Sequence, residues 1–204
     1  HVRSRRQRQM CIRDRLEAAD AMTMIREHAA EWHVDPDAIA VIGFSAGGHL
    51  AANLATSTSD DVLVAHGYDP DAVRPNGLML AYPVITSGPL AHRGSFDSLL
   101  GERRNDSQAL ESVSIERHID AKTPPVFAWH TVPDKTVPYE NTLMLIDACK
   151  KAGVSIEAHL FPQGGHGLSL GTAETAWQGV NGIEPSIQIW PQLAVSWMRR
   201  TFAR

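Results

Sequence analysis

Four short apolar runs divide the chain, and longer segments with a helical spacing of apolar residues separate them. The runs cover residues 39–44, 77–84, 125–130 and 156–161. Two of them, 77–84 and 125–130, are almost continuously apolar, which is typical of parallel strands that are covered on both faces. The pattern therefore predicts an α/β fold, in which a mostly parallel sheet lies in the middle of three αβα layers.

The segments between the runs predict the covering helices. Apolar residues recur on one face over residues 16–32, and similar patterns follow the first run and cover residues 138–151 and 190–202. Residues 34–38 form a turn sequence that leads into the first strand. Residues 86–122 are polar, mixed and broken by Gly and Pro, and they predict a cap-like excursion of short helices.

The first run continues directly into Gly43-Phe-Ser45-Ala-Gly47, and an alanine-rich helical segment follows. A strand, a sharp G-x-S-x-G turn and a helix form a nucleophile elbow, in which the serine hydroxyl is exposed on a strained turn. A side chain in place of Gly43 or Gly47 is expected to collide with the backbone, because the strand and helix ends pass close together there. We predict that Ser45 is a nucleophile; an ordinary glycine-rich turn is the alternative.

A nucleophilic serine needs a general base, and the base needs a carboxylate that orients it. In this architecture they follow in the order serine, acid, histidine, on loops at the carboxyl ends of later strands. Asp134 lies in the loop after the run 125–130, and His166 lies between glycines just after the run 156–161. We predict that His166 takes the Ser45 proton and that Asp134 orients the imidazole.

Several more acids and histidines fit these roles less well. Asp147 falls on a predicted helix, and Asp120 precedes its strand, which places it at the wrong end of the sheet. His49 follows Ser45 by one helical turn, where packing or capping is the expected role. Four further histidines lie on or near the first helix or within predicted strands: His28, His33, His130 and His159.

Three segments resemble the α/β-hydrolase superfamily. They are Gly-Phe-Ser-Ala-Gly-Gly-His-Leu-Ala at 43–51, the Trp-His-Thr-x-x-Asp-x-x-Val-Pro loop at 129–138, and Phe-Pro-x-Gly-Gly-His-Gly at 161–167. The chain is most similar to bacterial acetyl xylan esterase or feruloyl esterase-like enzymes, which are grouped with prolyl oligopeptidase-like hydrolases. Further segments that resemble this group are Tyr82-Pro-Val-Ile, His92-Arg-Gly-Ser-Phe and Glu140-Asn-Thr.

The resemblance implies a Ser45–Asp134–His166 triad, with the backbone N–H of Ala46 as an oxyanion-hole donor. It implies transfer of an acyl group to water through an acyl-enzyme, without a cofactor or a metal. Acetyl groups on xylan are the favoured substrate, and feruloyl esters come second. A prolyl oligopeptidase-like peptidase is the alternative enzyme, and an inactive fragment or binding module with a hydrolase shape is the alternative of another class.

The resemblance also predicts that the N-terminal strands of the family are missing. Family members carry several strands and a loop rich in His and Gly before the elbow, and this loop supplies the second oxyanion donor. Only 44 residues precede Ser45, and none of them reads His-Gly-Gly or Pro-Gly-Gly. The chain is expected to correspond to the C-terminal three-quarters of such an enzyme, with the apolar strand 39–44 at an unpaired sheet edge. Such edges promote self-association.

Residues 1–15 differ in composition from the rest of the chain. They hold six arginines and almost no apolar residues, whereas the chain as a whole has a net charge of −4. A secretory signal requires an apolar stretch after its basic segment, and no such stretch follows these residues. Without aromatic residues the segment does not indicate binding to nucleic acid or to a membrane. We interpret it as foreign to the family, a scar of cloning or sequence assembly, and we place a single hydrolase domain at residues 16–204.

Two further residue types complete the predictions. Cys11 and Cys149 provide neither a disulfide framework nor a metal-binding spacing, and Cys149 is expected to be a small buried residue of a helix. Trp177, in the loop after His166, is a candidate substrate-binding residue that forms an apolar wall for an acyl or sugar group. Its alternative role is to anchor this loop to the core. The expected partner is a small ester or an acylated carbohydrate.

Overall fold

A computed structural model describes residues 2–56, 60–177 and 182–203, with side chains from residue 12 onward. Four parallel strands form one sheet in this part of the chain. The strands are paired in the order in which they occur: Ala40–Phe44 (β1), Gly77–Ala81 (β2), Val126–Thr131 (β3) and Ile156–Phe161 (β4). The predicted parallel sheet is confirmed.

Helices connect and cover the strands. The described residues contain these α-helices: Val2–Glu27 (α1), Ala29–Trp32 (α2), Ala46–Ala55 (α3), Asp60–Ala65 (α4), Pro70–Val73 (α5), Arg93–Leu100 (α6), Ser107–Glu111 (α7), Glu140–Ala152 (α8) and Trp190–Thr201 (α9). The segment 86–122 carries α6, α7 and two single turns of 3-10 helix.

The two faces of the sheet bury different helices because side chains alternate along each strand. On one face, Leu78 and Leu80 of β2 pack with Val126 and Ala128 of β3 against α3 and α8. Right-handed crossovers between neighbouring parallel strands place connecting helices on one side of a sheet. The other face of β2 and β3 packs against α9 through a cluster rich in aromatic residues, which contains Phe127, Trp129, Trp190 and Trp197. The three-layer αβα architecture is therefore confirmed.

The first helix differs from the prediction at both ends. It begins at Val2, not at residue 16, and a break at His28 separates it from α2. The segment before residue 16 contains no Gly or Pro and is rich in Arg and Gln, which are good helix formers, so a helix extends through it without an apolar face. The part that packs lies further on, where Ala19 and Met22 are buried against Leu54 and Leu63.

Two more differences have local causes. The apolar pattern at 77–84 predicted a longer strand, but β2 ends at Ala81 because Tyr82 has a positive φ and Pro83 has no N–H. Residues 60–73 carry two short helices that the pattern did not predict. The second, α5, is a single turn that Asp69 caps through the N–H of Asp71 and that begins with Pro70.

Among the described residues, β1 forms one edge of the sheet and pairs with β2 alone. Ile42 on this strand is 42% exposed. An apolar groove of about 380 Å³ follows the strand, and its walls include Ala18, Val41, Ile42, Phe44, Leu50 and Leu54. Cys149 is buried on α8, as expected. Among the described residues, no helix has the length and apolar character needed to cross a membrane.

Candidate active site

The turn between β1 and α3 holds Ser45 in a strained conformation. Its φ of 52° and ψ of −121° lie outside the regions that a residue with a side chain ordinarily adopts. The turn is fixed to β2 because the N–H of Ser45 donates to the carbonyl of Ala81 at 3.0 Å and the N–H of Val84 donates to the carbonyl of Ser45 at 3.1 Å. The hydroxyl of Ser45 is thereby presented at the carboxyl end of the sheet.

Of the two glycines expected to prevent a collision in this turn, only Gly43 does so. A Cβ on Gly43 would lie 2.4 Å from the carbonyl oxygen of Gly47, whereas a Cβ on Gly47 would meet no atom within 4 Å. The expectation for Gly47 is therefore wrong. The close approach instead occurs at Gly48, where a Cβ would lie 3.0 Å from the Cβ of Pro83, because α3 passes over the chain that leaves β2.

The structure brings Ser45, His166 and Asp134 into one hydrogen-bonded chain. The Oγ atom of Ser45 lies 2.7 Å from Nε2 of His166, and Nδ1 of His166 lies 2.7 Å from Oδ2 of Asp134. The carboxylate accepts the Nδ1 proton, so the neutral imidazole presents an unprotonated Nε2 to the serine hydroxyl. The side chain of Asp134 is buried and that of His166 is 18% exposed.

Several donors surround the buried Asp134 carboxylate. Burial by itself raises the pKa of Asp134, but hydrogen bonds from His130, His166 and the backbone N–H groups of Val137 and Thr136 outweigh it. Together they hold the pKa well below the usual range of a carboxyl group. The two backbone N–H groups donate to Oδ1, at 3.0 Å from Val137 and 2.8 Å from Thr136. Asp134 is therefore a fixed anion beside the imidazole.

The loop that carries His166 is held in place from both sides. A Cβ on Gly164, whose φ is +99°, would lie 2.5 Å from Cδ1 of Leu168, so the chain passes closely over itself here. The hydroxyl of Thr131, the last residue of β3, donates to the carbonyl of Gly165 at 3.0 Å. The position of the imidazole is thus set by β3 as well as by the strand that precedes its loop.

Ala46, the expected oxyanion-hole donor, lies directly after Ser45. It is the first residue of α3, so its N–H has no acceptor within the helix. The N–H groups at a helix N-terminus favour negative charge. An anion next to Ser45 can therefore receive a hydrogen bond from Ala46.

Sequence reasoning missed one histidine of this site. His130 lies inside a predicted strand and was therefore assigned no role. In the structure, its Nε2 atom lies 3.3 Å from Oδ2 of Asp134 and 3.0 Å from the carbonyl oxygen of Val137. Its Nδ1 lies 2.8 Å from the hydroxyl of Thr142. The signal that could have found it is the four-residue spacing between His130 and Asp134 across a tight loop.

Three further titratable residues that the sequence offered as acids or bases lie outside the site. His49 is buried on α3, where it bonds the carbonyl of Val113 and the amide of Asn53. Burial lowers the pKa of His49 to about 4, which keeps the ring neutral. Asp147 lies on α8 and pairs with Lys151 at the surface. His159 bonds a glutamate of its own strand, the edge strand β4.

Trp177 lies beside the loop of the candidate base. It is 64% exposed, so its ring is not packed into the core. A Cβ on Gly167 would lie 3.3 Å from Cζ2 of Trp177, which places the indole against the residue that follows His166. Residues 178–181 of the same loop lie outside the described residues.

A cavity of about 390 Å³ opens on the other side of the elbow, between α3 and α6. Its mostly apolar wall includes Ala46, His49, Val84, Phe96 and Leu99, and Asp14 and Arg15 of α1 also line it. The described residues contain no cluster of three or more His, Cys, Asp or Glu side chains that could hold a metal ion.

Comparison with known proteins places this chain in a family. The model of the BD-FAE family matches residues 11–148, more than half of the chain. Endo-1,4-beta-xylanase B of Butyrivibrio fibrisolvens is 34% identical over 161 residues, which are 78% of this chain and 25% of that protein. An acetylxylan esterase of Xylanibacter ruminicola is 30% identical over 153 residues, 73% of this chain and 30% of that protein.

Solved structures show the same fold. The acetyl ester-xyloside bifunctional hydrolase from Caldicellulosiruptor lactoaceticus is 36% identical with a TM-score of 0.74, and the match covers 91% of this chain and 65% of that one. The carboxylesterase Cest-2923 from Lactobacillus plantarum is 27% identical, also with a TM-score of 0.74, over 89% and 65% of the two chains. The chain thus spans less than two thirds of these relatives, and it belongs to the BD-FAE family of α/β hydrolases.

Proposed function

We propose that the chain carries the catalytic machinery of a serine hydrolase that cleaves carboxylic esters through an acyl-enzyme. The observation that carries the proposal is the unbroken chain of hydrogen bonds from Ser45 through His166 to Asp134, with both heavy-atom distances at 2.7 Å. This geometry supplies a nucleophile, a general base and an orienting carboxylate in the arrangement that acyl transfer requires.

In the first half of the reaction, Oγ of Ser45 attacks the carbonyl carbon of the ester while Nε2 of His166 takes the hydroxyl proton. The imidazolium that forms is stabilised by Asp134, whose carboxylate is already ionised and held in place by backbone N–H groups. The carbonyl oxygen becomes an oxyanion, which accepts a hydrogen bond from the N–H of Ala46. The tetrahedral intermediate then breaks its bond to the alcohol oxygen, and His166 returns the proton to that oxygen.

The second half repeats these steps with water. His166 removes a proton from a water molecule as its oxygen attacks the acyl carbon, and the ester bond to Ser45 breaks as the proton returns to Oγ. The free carboxylic acid and the resting serine are the products. All proton transfers in both halves pass through one imidazole nitrogen, so the reaction needs no second acid or base.

For the substrate, we propose a short acyl group, such as acetyl, on a xylan-type carbohydrate. The names of two relatives, an acetylxylan esterase and an acetyl ester-xyloside hydrolase, support this class. The exposed indole of Trp177 beside the His166 loop supports a contact with the apolar face of a sugar ring. The apolar cavity next to Ala46 offers space for a short acyl chain.

The test is intact-mass analysis after treatment with a fluorophosphonate probe, which phosphonylates activated serines. We expect one adduct on the chain and none on the Ser45→Ala variant, because the chain has a single predicted nucleophile. His166→Gln is a second control, since it keeps Ser45 but removes the base. Untreated chain is assayed in parallel for acetate release from acetylated xylo-oligosaccharides and for cleavage after proline in model peptides.

The outcomes separate the candidate functions. Labelling with acetate release supports the esterase, whereas labelling with peptide cleavage replaces it by a peptidase. No adduct on chain that is shown to be folded by circular dichroism overturns the proposal in favour of an inactive fragment or a binding module.

A further inference from the structure

Tyr82 stands out in this molecule because its backbone is strained. It follows the last residue of β2 with a φ of 38°, and its side chain is buried, with the whole residue only 3% exposed. Positive φ is a genuine outlier for a bulky residue. Strain of this kind persists only where the surroundings fix it, and it concentrates at functional sites.

The contacts of Tyr82 explain what holds it in this conformation. Its N–H donates to the carbonyl of Trp129 on β3 at 2.7 Å, one position beyond the regular pairing of β2 with β3. The ring packs edge-to-face against Trp129, with centroids 5.0 Å apart and planes 88° apart. The positive φ therefore turns the phenol ring into the space between β3 and the loop that follows β4.

In that space the ring of Tyr82 meets the imidazole of His166. Their centroids lie 5.0 Å apart and their planes make an angle of 68°. The contact thus helps to hold the imidazole in the orientation shown.

The hydroxyl of Tyr82 holds the same loop at a second point. It accepts a hydrogen bond from the N–H of Ser169 at 3.1 Å, three residues after His166. The carbonyl of Ser169 in turn accepts a bond from the indole N–H of Trp190 at 2.8 Å. Burial raises the pKa of Tyr82, so the phenol stays neutral at the pH at which the imidazole acts.

We propose that Tyr82 is a positioning residue for the general base: its ring sets the orientation of the His166 imidazole, and its hydroxyl fixes the loop. The expected kinetic effects rest on the proposed function, whereas the expected effect on the His166–Asp134 hydrogen bond does not. Tyr82 touches no reacting atom, because it contacts His166 through the ring and the loop through Ser169.

The groups that face the imidazole define what a change at Tyr82 can do. Asp134 bonds the Nδ1 atom of the imidazole, Ser45 bonds its Nε2 atom, and the ring of Tyr82 packs against the imidazole ring. Asp134 and Ser45 remain when Tyr82 is replaced. The base then keeps its hydrogen-bond partners Asp134 and Ser45 and loses one source of orientation.

The experiment compares Tyr82→Leu, Tyr82→Phe and Phe127→Leu in the full chain. Phe127 is a buried ring of the same aromatic cluster, and its ring contacts are with His159 and Trp197, so Phe127→Leu controls for a general loss of packing. Circular dichroism and thermal unfolding establish that each variant is folded. The two readouts are the separate values of kcat and KM and the downfield proton resonance of the His166–Asp134 hydrogen bond, which His166→Gln assigns.

We expect Tyr82→Leu to lower kcat by about 100-fold with little change in KM, because misplacement of a catalytic group by about 1 Å costs this much. Its downfield resonance broadens or disappears. Tyr82→Phe keeps the ring and the resonance, and it loses about fivefold in kcat for the missing hydrogen bond. Phe127→Leu changes neither kcat nor the resonance.

A folded Tyr82→Leu variant that keeps the wild-type resonance and kcat overturns the inference, as does a Phe127→Leu variant that changes both in the same way. The resonance also separates this inference from the proposed function. If the chain hydrolyses no ester but Tyr82→Leu alone loses the resonance, the positioning role stands and the proposed function falls.

Discussion

The Nε2 atom of His130 lies 3.3 Å from Oδ2 of Asp134, the same oxygen that accepts the Nδ1 proton of His166. One carboxylate oxygen is therefore shared by two imidazoles, one at the site and one fully buried behind it. His130 is fixed from the other side, because its Nδ1 bonds the hydroxyl of Thr142 on α8. Helix α8 is thus connected to the orienting carboxylate of Asp134 through the side chains of Thr142 and His130.

Asp134 is expected to affect stability as well as activity. Its pKa is lowered in the folded state, so its ionised form stabilises the fold above the unfolded pKa of about 3.9, and this contribution is lost as the pH falls through the folded pKa. Asp134→Asn should be less stable than the wild type at neutral pH, and the two should converge under acid conditions. The same variant should lose about 10⁴ in kcat.

Urea unfolding over a pH series measures this effect. Asp147→Asn is the matched control, because Asp147 lies on the surface of α8 and pairs with Lys151 there. A difference between Asp134→Asn and the wild type that stays constant down to acid pH would contradict the assignment of a lowered pKa.

The two glycines of the elbow should respond in opposite ways to alanine. Gly43→Ala places a methyl group 2.4 Å from a backbone oxygen, which cannot move away as a flexible side chain can, and should cost about 3 kcal/mol. Gly47→Ala fills open space near the start of α3 and should raise the free energy of unfolding by about 0.5 kcal/mol. Denaturant midpoints of the two variants decide this, and equal losses would show that the turn is packed differently.

The exposed edge at β1 should promote self-association. Unpaired apolar strands accept further strands, and Ile42 projects from this edge beside an apolar groove. Ile42→Lys should shift the chain toward the monomer in sedimentation velocity over a concentration series. Val195→Lys, at a similarly exposed site on α9, should not. A sharp monomer peak for the unmodified chain at high concentration would refute the prediction.

Trp177 should distinguish carbohydrate esters from simple ones. Trp177→Ala is expected to raise KM for acetylated xylo-oligosaccharides about tenfold, the effect of one lost aromatic contact. It should leave hydrolysis of p-nitrophenyl acetate unchanged, because that ester has no sugar ring. Trp32→Ala is the control, since Trp32 is also exposed but stacks on His28 at the end of α2. Equal effects on both esters would remove Trp177 from sugar binding.

We interpreted residues 1–15 as foreign to the family, but the family model matches from residue 11 onward, so the interpretation stays a prediction for residues 1–10 only. The buried cluster around α1 is formed by residues from Leu16 onward, and Asp14 and Arg15 line the cavity beside α3. Deletion of residues 1–10 should therefore change the free energy of unfolding by no more than about 0.5 kcal/mol. Met22→Ala should cost about 2–5 kcal/mol, because Met22 is buried. A deletion as costly as Met22→Ala would show that the segment belongs to the fold.

Periodicity and loop position were sufficient to predict the sheet and the three groups of the candidate triad. Strand β4 has the predicted bounds, because its alternating pattern is closed by Pro162. Ser45 was predicted from its G-x-S-x-G turn directly after β1, and Asp134 and His166 were predicted from the loops that leave β3 and β4. The carboxyl ends of parallel strands meet at one edge, and the three side chains lie together there.

What could not be predicted depends on contacts between distant segments. The close approach at Gly48 comes from Pro83, which belongs to a different strand end, so no local pattern reports it. Tyr82 continues an apolar strand pattern, while its φ is set by the hydrogen bond to Trp129. The role of His130 could not be predicted because strand position says nothing about the loop that folds back over it.

The separation of Ser45 and His166 by 121 positions has a consequence for the order of events during synthesis. The elbow is closed by Ala81 and Val84, so the nucleophile can be in place while the rest of the chain is still being made. His166 follows β4 in the chain, so the predicted base is present only after β3 and β4 have been made. A chain that ends before residue 166 therefore carries Ser45 without its predicted base, and a phosphonylating probe is expected to label only chains that extend past this loop.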